Sequence, residues 1–257
     1  MLRNCLESNN IPIRKKWGQN FLIDKNIIKN IIKIINPSIN DFIIEIGPGK
    51  GALTVPLSEK VKDIIAVEID PLLINFLITK KISNLTLLNK DILEWNHNKI
   101  NFKNKTVKII GNLPYYITSP IIFKFLKNDY WTEMIIMVQK EVAKRIISKC
   151  NCKDYSRISV VCQSFFDIDY ELEVSHNSFH PRPKVDSALL KFKRKKNNFN
   201  IDEYTLFIKR CFAKKRKTMK NNLKDYLDVS IIEDYTNKRA QQISVEEFMD
   251  LFKKIYI

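Results

Sequence analysis

Short apolar runs alternate with amphipathic stretches from Phe42 to about Ser148, and this alternation restricts the fold more than any other feature. The runs have the length of buried strands, whereas the stretches between them carry apolar residues at helical spacing. We predict strands at 42–46, 64–67, 85–88, 107–110 and 134–138, and helices at 23–35, from about 51, after 71, at 120–127 and at 140–148. Such alternation predicts an α/β fold with a parallel, doubly wound, Rossmann-like sheet that binds ligands at the carboxyl ends of its strands.

The character of the sequence changes after Leu190. Lysines and an arginine lead into an Asn-rich linker at 197–200, and only helical patterns follow, at about 203–212, 217–227 and 245–256. We therefore predict an α/β domain over residues 1–193 and a small, all-helical C-terminal domain over residues 194–257.

A formal net charge of +16 over 257 residues indicates a polyanionic partner. Because Ile, Lys and Asn are abundant throughout, as an AT-rich genome would produce, the location of the charge is more informative than its total. The charge concentrates at 214–217, with Lys220 and Lys224 close behind. The alternative interpretation of this cluster is a solvated, lysine-rich surface.

Composition also argues against several classes of protein. No apolar run approaches the ~18 residues that a membrane span requires, and residues 1–10 have no secretory pattern, so we expect a soluble, cytoplasmic protein. The five cysteines form no CxxC pair and are expected to be reduced. No metal site is expected, because prolines follow directly after His180 and disrupt a helical His176–His180 pair.

The segment Asn112-Leu113-Pro114-Tyr115 suits a flat ring that bears an amine. The Asn112 side-chain carbonyl and a backbone carbonyl beside Pro114 both accept hydrogens from one exocyclic amine. Pro114 stiffens the turn because its φ is fixed, and Tyr115 offers a face on which a base stacks. The segment indicates chemistry on the amino group of a nucleobase; the alternative is a strand followed by an ordinary Pro-containing turn.

A glycine-rich loop, Gly47 to Gly51, follows the first predicted strand and opens a helix. Its glycines permit a tight turn and let a ligand approach the backbone. The loop also satisfies a relaxed dinucleotide fingerprint, so a nicotinamide-dependent dehydrogenase is one alternative.

Carboxylates at the strand ends favour a cationic ligand over a pyrophosphate. Glu45 precedes the glycine loop, and Glu68, Asp70 and Asp91 close later strands. Each acid alone is equally compatible with a helix cap or a solvated turn. Together they suit S-adenosylmethionine, which carries a sulfonium and an ammonium. Glu68 is placed to take both ribose hydroxyls, and Asp91 to accept the adenine amine.

Seven segments in order carry a resemblance over nearly the whole chain. They are 16–22 (KWGQNFL), 45–49 (EIGPG) with 52–54 (ALT), 111–120 (GNLPYYITSP), 139–142 (QKEV), 179–187 (FHPRPKVDS), 216–218 (RKT) and 239–245 (RAQQISV). The chain resembles the small-subunit ribosomal RNA adenine dimethyltransferase family. This resemblance implies transfer of two methyl groups from S-adenosylmethionine to each of two adjacent adenosines near the 3′ end of small-subunit rRNA.

The resemblance also implies roles for individual residues. The cofactor-binding set that it implies is Asn20, Leu22, Gly47, Glu68, Asp91 and Asn112. Phe179 is expected to stack on the target adenine opposite Tyr115; the alternative is an ordinary buried anchor. Two positions depart from the family, since Trp17 replaces the usual Phe and Tyr116 stands where a polar Asn is expected.

The implied partner is small-subunit rRNA within an assembling 30S-type subunit, and the protein is expected to be a monomer. The residues predicted to bind RNA phosphates are Lys214, Lys215, Arg216, Lys217 and Lys220. Rival hypotheses are a related enzyme that methylates large-subunit rRNA and confers macrolide resistance, a DNA adenine methyltransferase, and a catalytically idle assembly or transcription factor.

Overall fold

The computed structural model describes residues 12–14, 17–96, 100, 102, 105–196 and 199–256. Its strands in these ranges are β1 (Phe21–Leu22), β2 (Asp41–Ile46), β3 (Asp63–Glu68), β4 (Leu85–Asn89), β5 (Thr106–Asn112), β6 (Glu133–Gln139), β7 (Phe166–Val174), β8 (Phe179–His180) and β9 (Ser187–Arg194). The α-helices span Lys25–Ile35, Thr54–Ser58, Pro71–Ile78, Thr118–Leu126, Lys140–Ile146, Arg157–Phe165, Ile201–Cys211, Met219–Leu223 and Val245–Tyr256. The 3₁₀ turns span Tyr115–Ile117, His176–Ser178, Val229–Tyr235 and Ala240–Gln242.

Seven strands form one sheet in the order β4-β3-β2-β5-β6-β9-β7. Strand β2 pairs in parallel with β3 and β5, β3 with β4, and β5 with β6. The chain therefore moves outward from β2 to β4 and returns to the other side of β2, which opens a crevice at the carboxyl ends of β2 and β5. This arrangement confirms the predicted doubly wound α/β fold.

Burial on both faces explains why the central strands are continuous apolar runs. Ile44, Ile109 and Ile135 are each at most 1% exposed, as expected for parallel strands that are covered on both sides. The first long helix begins after Asp24, whose carboxylate accepts the Asn26 backbone N–H at 2.9 Å. This side-chain cap satisfies an N–H group that has no partner within the helix.

Two compact units divide the chain. The first contains the residues up to Lys140 together with Asp169–Phe192, and the second contains Glu141–Ile168 together with the residues from Lys193 onward. The predicted division between residues 193 and 194 lies one residue from the boundary between Phe192 and Lys193. A single cut does not separate the units, because Glu141–Ile168 groups with the C-terminal segment.

The C-terminal part of the second unit surrounds an aromatic core. Tyr204 and Phe252 are buried, and their ring centroids lie 5.1 Å apart in an edge-to-face arrangement. The predicted start of a helix at Lys217 is wrong. Thr218 forms an isolated β-bridge with Arg239 and is extended, so the helix begins at Met219.

Some predictions fall on residues outside those described, namely the expectation about the pattern of residues 1–10 and the linker residues Asn197 and Asn198. No helix within the described ranges is both long and apolar enough to span a bilayer.

Candidate active site

A cavity opens at the carboxyl ends of β2 to β5. Its wall consists of the glycine loop after β2, side chains at the ends of the other strands, and the N-terminal segment Trp17–Leu22, which we call the strap. The sequence-predicted residues among its lining are Asn20, Leu22, Gly47, Glu68, Asp91, Asn112 and Pro114. The fold therefore brings residues far apart in sequence to the crevice where such sheets bind ligands.

Two glycines shape the loop beside the cavity. Gly47 and Gly49 have φ values of +66° and +57°, in the left-handed region that favours glycine. A Cβ at Gly49 would lie 3.1 Å from the Phe21 ring, whereas a Cβ at Gly47 would meet no atom within 4 Å. Gly49 thus lets the loop approach the strap. Gly47 leaves open space beside its Cα, and its N–H donates to the Val67 carbonyl at 2.9 Å.

Glu45 is a buried carboxyl group in the cavity wall. It is 2% exposed, and its Oε2 has no hydrogen-bond partner among the described residues. Burial raises the pKa of Glu45 to about 7; the nearby Thr54 hydroxyl lowers this pKa and the charge of Glu68 raises it. Because an uncompensated buried carboxylate is costly, a cation in the cavity would stabilise its charged form.

Glu68 is held in one orientation by backbone N–H groups. Its Oε2 accepts from Gly49 at 3.2 Å and its Oε1 accepts from Asp70 at 3.0 Å. Burial raises the pKa of Glu68, and these two N–H groups lower it. Each carboxylate oxygen accepts more than one hydrogen bond, so Glu68 retains the capacity to bind hydroxyl groups.

Asp91 lies in a turn just beyond β4. Its Oδ1 accepts the Leu93 backbone N–H at 2.8 Å. The Lys124 ammonium donates to the carbonyls of Leu93 and Trp95, each at 2.8 Å. Burial lowers the pKa of Lys124 and the charge of Asp91 raises it. This turn holds Asp91 at the cavity wall.

The lining fits the expected S-adenosylmethionine. Three carboxyl groups, Glu45, Glu68 and Asp91, and two lysines, Lys50 and Lys90, lie around it. The buried oxygen of Glu45, which has no hydrogen-bond partner among the described residues, and the open space beside Gly47 are the features that an extended ligand with a cationic centre would use. No group of three or more His, Cys, Asp or Glu side chains in the described ranges could hold a metal ion.

Asn112 joins the end of β5 to the strap. Its Nδ2 donates to the Asn20 backbone carbonyl at 2.9 Å, which leaves Oδ1 to accept from a substrate amine. The Pro114 carbonyl already accepts the Ile117 N–H at 3.1 Å. The adjacent Leu113 carbonyl is the other backbone acceptor beside Pro114, and the sequence left the choice between the two open. The backbone of Tyr115 opens the 3₁₀ turn, and its side chain lies outside the described part of the structure.

A second contact of the strap was missed by sequence reasoning. Gln19 Nε2 donates to Asp70 Oδ2, and Gln19 Oε1 accepts the Arg14 backbone N–H, both at 2.8 Å. Asp70 is fully buried and also caps the helix Pro71–Ile78 by accepting the Leu72 N–H at 3.0 Å. An Asp before a Pro predicts the cap, but nothing local predicts a partner 51 residues away.

Phe179 is not among the residues that line the cavity. It is 1% exposed and belongs to the same apolar cluster as Leu22, Ile31 and Ile35. Its backbone lies opposite Leu22 in the antiparallel β1–β8 pair. This placement supports the alternative in which Phe179 anchors the strap from the core.

The basic cluster lies in the second unit, in the turn at 214–217 and at Lys220 in the helix that follows. Lys214, Lys215, Arg216, Lys217 and Lys220 are all exposed. The turn is held from inside by Asn222, which is 6% exposed and donates to the carbonyls of Cys211 at 2.7 Å and Lys214 at 3.3 Å. Sequence reasoning missed Asn222, because nothing in the Asn221-Asn222 pair of a helical pattern marks one of the two as a buried support.

Comparisons with known proteins agree with this geometry. The family model for Ribosomal RNA adenine dimethylase matches residues 10–256. A Mycoplasma mobile protein named Ribosomal RNA small subunit methyltransferase A is 42% identical over 253 residues, with 94% of this chain and 98% of the relative covered. A protein of the same name from Mycoplasmopsis pulmonis is 44% identical over 254 residues, with 94% and 98% covered. The crystal structure of a dimethyladenosine transferase from Plasmodium falciparum has a TM-score of 0.79 and 26% identity, with 91% of this chain and 98% of that chain covered.

Proposed function

The chain belongs to the ribosomal RNA adenine dimethylase family of S-adenosylmethionine-dependent methyltransferases, and from this premise we propose its substrate and the roles of its residues. It dimethylates the exocyclic amines of two adjacent adenosines in the 3′-terminal hairpin of small-subunit rRNA. It acts as a cytoplasmic monomer on an assembling 30S-type subunit. The names of the Mycoplasma and Mycoplasmopsis relatives favour the small-subunit substrate over the large-subunit rival.

Acceptors in the wall would hold the cofactor. Glu68 binds the ribose hydroxyls, Asp91 accepts the adenine amine, and Gly47 provides backbone contact; the strap residues Asn20 and Leu22 close over it. When bound, S-adenosylmethionine supplies a methyl group on a positively charged sulfur. The charge of that sulfur would stabilise the ionised form of Glu45.

The amine of the target adenine is a poor nucleophile because its lone pair is delocalised into the ring. Asn112 Oδ1 and the Leu113 carbonyl accept its two hydrogens, which directs the nitrogen lone pair toward the methyl group. Tyr115 stacks on the base. Since the nitrogen becomes far more acidic once alkylated, transfer depends on positioning and electrostatics rather than on a strong base.

A base within a helix cannot enter this cavity, so the adenosine is flipped out or already unpaired. The exposed basic turn of the second unit binds phosphates and sets the register of the RNA. The helical C-terminal segment is therefore the RNA-docking domain in this proposal.

One observation carries the proposal. The Asn112 amide is bonded to the Asn20 carbonyl at 2.9 Å, and this bond leaves the Asn112 oxygen available at the edge of a cavity with carboxylate walls. Both residues lie in motifs that the family resemblance identified from the sequence.

Asn112→Ala tests the proposal by methyl transfer from labelled S-adenosylmethionine to unmodified small subunits, measured at saturating cofactor. We expect a loss of roughly 100-fold or more, the usual scale for removing one positioned polar contact to the reacting group. Asn128→Ala is the matched control, because Asn128 also donates to a backbone carbonyl, that of Lys124 at 2.8 Å, outside the cavity. Equal rates for the two variants would contradict the assigned role.

A further inference from the structure

We propose that Tyr116 is the stacking platform for the nucleotide next to the methylated adenosine, an inference that rests on the proposed function. Tyr116 is 63% exposed and lines the cavity. A tyrosine ring left in water at the opening of a substrate cavity is suited to a planar ligand, because each base offers a π-face to an aromatic side chain.

The backbone around Tyr116 fixes the point from which its side chain extends. The residue lies in the 3₁₀ turn Tyr115–Ile117, which is closed by the bond from the Ile117 N–H to the Pro114 carbonyl. Pro114 restricts the entry to that turn through its fixed φ. Tyr116 is thus held next to the residues that bind the target amine.

The strap supports one side of the ring. A Cβ at Gly18 would lie 3.7 Å from Tyr116 Cε1, an ordinary contact distance, and 3.8 Å from Pro114 Cβ. The strap therefore packs along the tyrosine and leaves most of it exposed.

The substrate chemistry determines what reaches this platform. When one adenosine enters the cavity, its neighbour loses a stacking partner and stays at the opening. If the two target adenosines are adjacent, the neighbour is a purine, whose large ring system stacks well. Tyr116 would replace the lost partner, so its contribution falls on RNA recognition and not on cofactor binding.

The experiment compares wild type, Tyr116→Phe and Tyr116→Leu at limiting concentrations of unmodified small subunits. Stacking on one base corresponds to roughly 5- to 150-fold, and we expect about a tenfold loss of kcat/KM for Tyr116→Leu at this exposed site. Tyr116→Phe keeps the ring and should stay near wild type. The affinity for S-adenosylmethionine, measured by calorimetry, should be the same for all three proteins, as should the thermal unfolding temperature.

A second substrate separates stacking from a general loss of fit. Subunits in which the neighbouring adenosine is changed to uridine remove the large ring system that Tyr116 would hold. The substitution should lower kcat/KM strongly for wild type and weakly for Tyr116→Leu, which is the non-additivity expected of two groups in contact. Equal losses in both proteins, or a Tyr116→Phe variant as impaired as Tyr116→Leu, would overturn the inference. If wild type methylates no small-subunit adenosine, the proposed function itself fails.

Discussion

Glu45→Gln should remove a pH-dependent destabilisation of the first unit. Glu45 is 2% exposed, and its pKa is raised from 4.5 to about 7, chiefly by burial. The folded protein therefore holds the Glu45 proton more tightly than the unfolded chain does. The contribution of this proton to the free energy of unfolding is fully present below about pH 4.5 and is lost as pH rises through 7.

The size of the effect follows from the shift. One unit of pKa difference between the folded and the unfolded state corresponds to about 1.36 kcal/mol. With a Glu45 pKa of about 7 in the folded state and 4.5 in the unfolded state, the free energy of unfolding should fall by about 2.5 kcal/mol between pH 5 and pH 8. Gln does not titrate, and its shape matches that of the protonated acid. Relative to wild type, the variant should gain about 2.5 kcal/mol over this range.

Urea unfolding followed by tryptophan fluorescence measures this difference. All three tryptophans, Trp17, Trp95 and Trp131, lie in the unit that contains Glu45, so the signal reports that unit. Glu59→Gln, at an exposed position, controls for the loss of one carboxyl group. Parallel curves for wild type and Glu45→Gln from pH 5 to pH 8 would refute the reasoning.

Three further predictions concern the glycine loop, the buried Phe179 and the basic turn at 214–217. Gly47→Ala should weaken S-adenosylmethionine binding in calorimetry, because its Cβ would enter the open space beside the loop; its left-handed φ should also lower the free energy of unfolding by about 1–2 kcal/mol. Gly111→Ala, whose Cβ would lie 2.8 Å from the Ile46 carbonyl oxygen, should lower the free energy of unfolding, and a Gly47→Ala protein that binds the cofactor as tightly as wild type would contradict the role of the loop. Phe179→Ala should lower the free energy of unfolding in urea by about 3–5 kcal/mol, whereas Phe179→Leu should keep most of the stability and the rate of methyl transfer. A stable Phe179→Leu protein with little methyl transfer would instead support stacking of Phe179 on the adenine. Changing residues 214–217 to Gln should flatten the plot of the logarithm of the RNA-binding constant against the logarithm of salt concentration. The slope should change by roughly 0.7–0.9 for each phosphate that the protein no longer neutralises. An unchanged slope, or an equal change when Lys25, Lys29 and Lys33 are replaced by Gln, would count against the basic turn.

The central sheet could be predicted because its strands are buried on both faces. The runs at 42–46 and 134–138 are apolar at nearly every position, and the observed strands β2 and β6 include every residue of these runs. Strands β7 and β9 were missed although β7 alternates apolar with acidic residues, a period-two pattern typical of a half-exposed strand. The run of cations after Leu190 was interpreted as leading into the linker at 197–200 and not as a strand, yet Phe192 is buried and β9 continues to Arg194.

The site could be predicted where its chemistry lies within one motif. The glycine loop and the Asn112 segment each carry a local signal, and the strand order brings them together. The contacts that hold the strap could not be predicted, because Gln19 meets Asp70 and Asn20 meets Asn112 across 51 and 92 residues. Burial likewise depends on the whole fold, which is why the sequence left two roles open for Phe179.

Mapping the methylated nucleotides tests the central claim most directly. Unmodified small subunits are incubated with the protein and labelled S-adenosylmethionine, and the rRNA is then digested with nuclease and analysed by mass spectrometry. The account predicts dimethyladenosine at two neighbouring positions of the 3′-terminal hairpin in wild type, and its loss in Asn112→Ala. Label confined to large-subunit RNA, or no transfer to any RNA by a protein that still binds the cofactor, would contradict it.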